Sequence, residues 1–243
     1  MITLPKEKTA PSEVNPKFLI IYGLPKCGKT SILTALPKCL IIDLEDGTDY
    51  YSACAIKAKN LSDLDEIKKL LIANPNQYDY VAIDTGTALE EIVMPLAVAL
   101  FQKLPIGKNY KGTDITELPN GLGYKFTREA FQQVINSFKN NCKYFILTGH
   151  LKDKYLTKDG NEFIGMELDL TGKLKSIISA KADAIGYLYR TGKKGNETRI
   201  SFKANENIIC GARCNHLSNQ DILLAESDPD GKITYHWDKI YLK

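Results

Sequence analysis

Apolar residues fall in short runs along this chain, separated by polar stretches at near-regular intervals. The first run, Lys17-Phe18-Leu19-Ile20-Ile21-Tyr22, is apolar at consecutive positions, as a strand buried on both faces must be. Cys39–Asp43, Tyr78–Asp84 and Lys143–Gly149 share that character. Between these runs the period lengthens. Leu61, Leu64, Ile67, Leu70 and Leu71 recur at helical spacing, with Ser62 as a candidate cap, Asp65 and Glu66 in the first turn, and Asn74-Pro75-Asn76 as a stop. Residues 88–102 are apolar nearly all round and predict a well-buried helix, kinked or broken at Pro95. A further helix is predicted over 127–139. Strands alternating with helices predict an α/β fold: a mostly parallel, twisted sheet with right-handed crossovers, flanked by helices.

Past His150 the pattern shifts. Lys154 to Met166 predicts a hairpin around Lys158-Asp159-Gly160-Asn161. A helix over 172–181 follows, then strands over 184–190 and 197–203 across a Gly- and Lys-rich turn. These add antiparallel strands to the parallel core. Three segments result: a polar lead-in over 1–16 with Pro5, Pro11 and Pro16, a core over 17–215, and an extension over 216–243 packed on it. Inside the core, residues 105–123 form a Gly- and Pro-punctuated stretch, a long loop of the functional or mobile kind.

One segment carries chemistry. Gly23-Leu24-Pro25-Lys26-Cys27-Gly28-Lys29-Thr30 has Gly, four spacers and Gly-Lys-Thr, set between the first strand and a helix at Ser31–Leu36 that Pro37 stops. Backbone N–H groups of such a phosphate-binding loop converge on an anion at a helix N-terminus. Lys29 then reaches the β- and γ-phosphates, Thr30 offers its hydroxyl to Mg2+, and Ser31 continues the cradle. Val81-Ala82-Ile83-Asp84 is an apolar strand ending in an acid, the Walker B pattern, which places Asp84 as the second metal-holding group. Glu45 follows the second strand at its carboxyl end, where ligands of open parallel sheets bind, and is the candidate that activates water. Glu90 and Glu91 are alternatives inside a helix. His150 closes the fourth strand and is the candidate γ-phosphate sensor.

Composition narrows the classes. At 243 residues the chain builds one large core, or one domain with a small appendage. A hydrophobic content of 44%, a charged content of 25% and a net charge of +3 are those of an ordinary soluble protein and neither demand nor exclude nucleic acid. No apolar run approaches the ~20 residues of a membrane span, which predicts no membrane partner. The polar lead-in does not read as a signal peptide, and with a nucleotide loop this predicts a cytoplasmic location. The six cysteines are irregularly spaced, as reduced thiols are. Cys210, Cys214 and His216 lack the second ligand pair of a structural zinc site.

The order of phosphate loop, Asp43-Leu44-Glu45, Ile83-Asp84 and Thr148-Gly149-His150 resembles that of the RecA-like recombinases. More closely, with Gly121-Leu122-Gly123-Tyr124 and a late Arg213, residues 17–215 resemble the short RecA-like ATPases of phages, associated with single-strand annealing and recombination. The resemblance implies a RecA-like P-loop ATPase, with ATP and Mg2+ as cofactors, Glu45 as the catalytic glutamate beside Lys29, and His150 where the family usually has glutamine. It implies single-stranded DNA as partner, DNA-stimulated hydrolysis, assembly into a ring or filament, and a single-strand binding protein as an associate. The N-terminal polymerisation domain of full-length RecA is absent from the pattern. By position, the DNA loops would carry Lys108, Tyr110 and Lys111, then Lys152, Lys154, Tyr155 and Lys158; lysines neutralise phosphates and tyrosines stack on unpaired bases. Arg213 or Arg190 would reach a neighbour's phosphate, with Lys173 and Lys175 as alternatives. Two other readings use the same loop: a nucleotide or small-molecule kinase, against which stand only four scattered arginines, and a slow nucleotide-dependent switch that recruits partners.

Overall fold

The computed structural model describes residues 4, 6–155, 163–204 and 207–243; the side chains of 154, 155, 163 and 164 lie outside that description. In chain order its regular elements are β1 (Phe18–Gly23), α1 (Lys29–Thr34), β2 (Cys39–Asp43), β3 (Ala55–Lys57), α2 (Leu61–Ala73), β4 (Tyr80–Asp84), α3 (Gly86–Ile92), α4 (Met94–Gln102), α5 (Leu122–Lys139), β5 (Tyr144–Tyr155), β6 (Phe163–Leu168), α6 (Leu174–Lys181), β7 (Ala184–Thr191), β8 (Glu197–Ser201), β9 (Gly211–Ala212), β10 (Asp221–Ser227) and β11 (Ile233–Tyr235).

The strands order as β11-β10-β8-β7-β1-β5-β4-β2-β3, with β6 paired to β5 and β9 to β7. The run from β7 through β1, β5, β4 and β2 to β3 is parallel. β8, β10 and β11 extend it antiparallel. This is the expected architecture: a mostly parallel sheet with antiparallel additions. Side chains alternate across each strand. Phe18, Ile20 and Tyr22 enter one core with α2 to α6. Leu19 and Ile21 enter the other, with Ile32 and Leu33 of α1 and with Trp237 and Ile240 near the C-terminus. Burial on both faces is why β1, β2 and β4 are apolar nearly throughout. Among the described residues, no helix is long and apolar enough to cross a membrane.

Several local expectations change. The cap of α2 is Asn60, whose side chain accepts from Asp63 N while the Asp63 carboxylate accepts from Lys59 N; Ser62 lies inside the helix. Of the two outcomes expected at Pro95, the helix over 88–102 takes the break: it is two helices parted at Val93, with Pro95 in the first turn of the second. It is less buried than its composition predicts: Leu89, Val93, Ala97 and Phe101 are buried, but Leu96, Val98 and Leu100 only half so. The stretch over 105–123 is built of short 3-10 turns pinned by a fully buried Ile115, and Gly121 starts α5 five residues earlier than predicted. β5 runs on past His150 into the antiparallel pair with β6; the turn residues Lys158 to Asn161 lie outside the described residues.

Candidate active site

The parallel register brings the strand ends together. Asp43 pairs with Asp84 across β2 and β4, and Gly23 with His150 across β1 and β5. Where β1 ends, Gly23 packs against β7 so closely that a Cβ would stand 2.3 Å from the Leu188 carbonyl oxygen. Gly28 caps α1 at φ 108°, a backbone region open to glycine and strained for other residues. The buried Lys29 donates from Nζ to the carbonyls of Gly23 (2.9 Å) and Leu24 (2.8 Å). Ser31 Oγ donates to the Gly28 carbonyl at 2.9 Å. Burial pushes the Cys27 thiol up against the pull of Lys29, which leaves a neutral spacer beneath the loop.

Asp84 is buried at the floor of the site. Thr30 Oγ1 donates to its Oδ2 at 2.6 Å, and Thr148 Oγ1 donates to its Oδ1. Burial pushes the Asp84 carboxyl up, with the two hydroxyls opposing it. A buried carboxylate and an adjacent hydroxyl are the hard oxygen donors that Mg2+ takes, so Thr30 and Asp84 fit the metal that the loop implies. The following peptide, Asp84–Thr85, is cis.

Asp43 organises the turn after β2. It is fully buried, and its Oδ1 accepts from the N–H groups of Glu45 and Gly47 (both 3.1 Å), its Oδ2 from Thr48 N (2.8 Å) and Thr48 Oγ1 (2.5 Å). Glu45 is thereby turned across the site, where Thr85 Oγ1 donates to its Oε2 at 3.0 Å and His150 Nε2 lies 3.2 Å from the same oxygen. His150 Nδ1 is buried without a hydrogen-bond partner among the described residues. Glu90 is directed elsewhere: its carboxylate accepts from Thr171 N at 3.0 Å, and burial pushes its pKa up.

A cleft of about 280 Å³ opens over these groups, lined by Lys29, Thr30, Glu45, Asp84 and His150 together with Arg190. Pro25, Lys26, Gly28 and Ser31 complete the loop side, whereas Gly23 and Cys27 lie beneath it and Leu24 is exposed. Arg213 does not join them. The chain returns antiparallel along the start of β7, so Arg213 sits beside Asp183 at the opposite end of the sheet and donates from Nη2 to the Ala180 carbonyl. Arg190, at the carboxyl end of β7, is the arginine in the cleft. Lys108 and Lys111 are exposed, but Tyr110 turns inward: its ring packs on Phe101 and its hydroxyl donates to the Asp114 carbonyl. Lys152 pairs with Asp169 at 3.4 Å. The side chains of Lys154 and Tyr155, and Lys158 entirely, lie outside the described residues. Tyr51, Thr85 and Thr148 are site residues that the motifs did not single out; Thr85 and Thr148 stand beside Asp84 and His150 in sequence, but Tyr51 carries no such signal.

A protein-family model described as an AAA domain matches residues 15–214. The chain belongs to this AAA domain family. The match spans the phosphate loop, Asp84, His150 and Arg190, so the whole cleft belongs to the AAA domain. A search of curated proteins returned no match. Similar solved structures include the RadB recombinase, at 10% identity over 90% of this chain and 91% of that one, with a TM-score of 0.45. Another is a KaiC-like protein from the hyperthermophilic archaeon Pyrococcus horikoshii OT3, at 12% identity over 90% and 89%, with a TM-score of 0.47. The AAA domain is a P-loop ATPase fold, and that fold implies nucleotide binding.

Proposed function

We propose that this AAA domain is a magnesium-dependent ATPase that assembles on single-stranded DNA, in recombination or annealing of the kind phages use. The observation that carries the enzymatic part is the convergence of Lys29, the Thr30–Asp84 pair and the Glu45–His150 pair on one cleft. Lys29 and the loop N–H groups bind the phosphates. Thr30 and Asp84 hold Mg2+, which when bound neutralises phosphate charge. Glu45 orients a water on the γ-phosphate and takes its proton as the new P–O bond forms and the bond to the β,γ-bridging oxygen breaks. His150, whose Nε2 lies 3.2 Å from Oε2 of Glu45, senses the γ-phosphate through that carboxylate and its water, and its own carbonyl, which accepts from Asp169 N at 2.9 Å, passes the change to the base of the β5–β6 hairpin. The DNA part is supported by the family resemblance and by the exposed Lys108 and Lys111.

The test is the ATP hydrolysis rate with and without single-stranded DNA, in the wild type, Lys29→Ala and Glu45→Gln. DNA should stimulate the wild type alone. Lys29→Ala should lose nucleotide binding, whereas Glu45→Gln should keep it and lose about 100-fold or more in rate. Lys108→Ala with Lys111→Ala should weaken DNA binding and reduce its log–log salt slope by about 1.4 on single-stranded DNA. A rate indifferent to DNA, accompanied by phosphotransfer to a small acceptor, would overturn the proposal in favour of a kinase.

A further inference from the structure

β7 outruns β1. Tyr22 and Tyr187 are the last paired residues of those strands, Gly23 packs on Leu188, and Arg190 stands two residues further on, level with the phosphate loop. Its Nε donates to the Cys27 carbonyl at 3.3 Å, and its Nη2 lies 3.6 Å from the point a Cβ on Gly28 would occupy. Anchored by one donor, the guanidinium keeps four more. Among the described residues none of them meets a carboxylate or a carbonyl, whereas Arg199 on the adjacent strand is held by Asp221 and Glu197. An exposed cation seated on a phosphate loop without a protein counter-charge is built for an anionic ligand.

Position selects which phosphate. β1 lies between β5, which carries His150, and β7, which carries Arg190. The two strands are therefore about 10 Å apart, so the two side chains flank the loop from opposite sides. Glu45, Asp84 and His150 stand on one side, Arg190 on the other beside Gly28. Tyr51 lines the same cleft as Arg190.

We propose that Arg190 binds the nucleotide in cis, gripping the phosphates that ATP and ADP share at Gly28–Ser31, on the side away from the γ-phosphate. It is a binding residue of its own subunit's cleft and not a finger supplied to a neighbour. This rests on the nucleotide-binding reading of the site, and the experiment separates the two.

Dissociation constants for ATP and ADP are measured by titration for the wild type, Arg190→Ala and Arg190→Lys, with steady-state kinetics and a thermal melt as the check on folding. Arg190→Ala should weaken both nucleotides about 10- to 100-fold and raise KM alike, with kcat within about threefold; Arg190→Lys should recover part of the affinity. Unchanged ADP affinity with a collapsed kcat would overturn the proposal and return Arg190 to the role of a finger. Mixing Arg190→Ala with Lys29→Ala subunits gives a second reading: no recovery of activity is expected, and recovery would show action across subunits. Failure of the wild type itself to bind ATP or ADP would instead remove the nucleotide reading.

Discussion

His150 Nε2 lies 3.2 Å from Oε2 of Glu45 and 3.4 Å from its Oε1, bridging the ends of β5 and β2 across the intervening β4. The two residues are 105 positions apart in sequence, and the parallel register alone makes them neighbours. His150 thus holds the proposed water-activating carboxylate in place while its backbone continues β5 toward the β5–β6 hairpin. Removing that hold should slow the chemical step and spare binding. His150→Ala should lose about 100-fold in single-turnover hydrolysis with nucleotide affinity unchanged. His150→Gln, which keeps a donor near Glu45, should lose markedly less. Equal losses in both variants would mean that the imidazole itself is needed, and a loss of affinity would assign His150 to binding.

Asp84 is a buried carboxylate whose donors among the described residues are two hydroxyls, and burial works against its charge. Such a group trades stability for metal binding. In metal-free protein Asp84→Asn should therefore raise Tm, because it removes a charge that burial disfavours while retaining an acceptor for Thr30 or Thr148. Adding Mg2+ with nucleotide should then raise the Tm of the wild type well above that of the variant, since bound ligand stabilises by mass action. Differential scanning calorimetry with EDTA and with Mg2+ checks both arms. A variant that melts lower without metal would show that the two hydroxyl bonds outweigh the burial term.

Much of this was legible before any coordinates, for identifiable reasons. The phosphate loop, Asp84, Glu45 and His150 lie at the ends of apolar strands, so local patterning locates them and the parallel topology brings them together. β3 and β10 escaped the pattern. β3 is a three-residue edge strand, exposed at two positions, and β10 breaks its alternation at a bulge between Leu223 and Ala225. Asn60 and Ser62 are both good caps for α2 by residue type, and only the bonds that Asp63 makes to Asn60 and Lys59 choose between them. Arg190 and Arg213 look alike in sequence. Antiparallel return of the chain along β7 sends one to the cleft and the other to the opposite pole.

The C-terminal residues reach the site through α1. Trp237 is buried and donates from Nε1 to the Ile32 carbonyl at 2.8 Å, fixing the helix whose first turn is Lys29 and Thr30. Trp237→Ala should destabilise the protein by about 3–5 kcal/mol and also weaken nucleotide binding, although Trp237 lies outside the cleft lining. Trp237→Phe, which keeps the ring and loses the donor, should cost about 1–3 kcal/mol. Urea unfolding and nucleotide titration measure the pair. Normal nucleotide affinity in a folded Trp237→Ala protein would uncouple the C-terminal residues from the phosphate loop.

Asp43 tests whether the turn after β2 must be preorganised. Burial alone would raise its pKa, but the hydrogen bonds from Thr48, Glu45 and Gly47 outweigh that and hold it below the ordinary range. A carboxyl with a depressed folded pKa stabilises the fold above its unfolded value of about 4, and that contribution is lost as pH falls through the folded value. Asp43→Asn should therefore unfold about 2–3 kcal/mol more easily at pH 7, with the deficit shrinking as wild type and variant are compared in increasingly acid buffer. Hydrolysis should fall alongside, because the N–H of Glu45 loses the acceptor that sets its position. A deficit that persists unchanged at pH 3 would trace the loss to the shape of the amide and not to the missing charge. A stable variant with full activity would mean that Thr85 and His150 suffice to hold Glu45 in place.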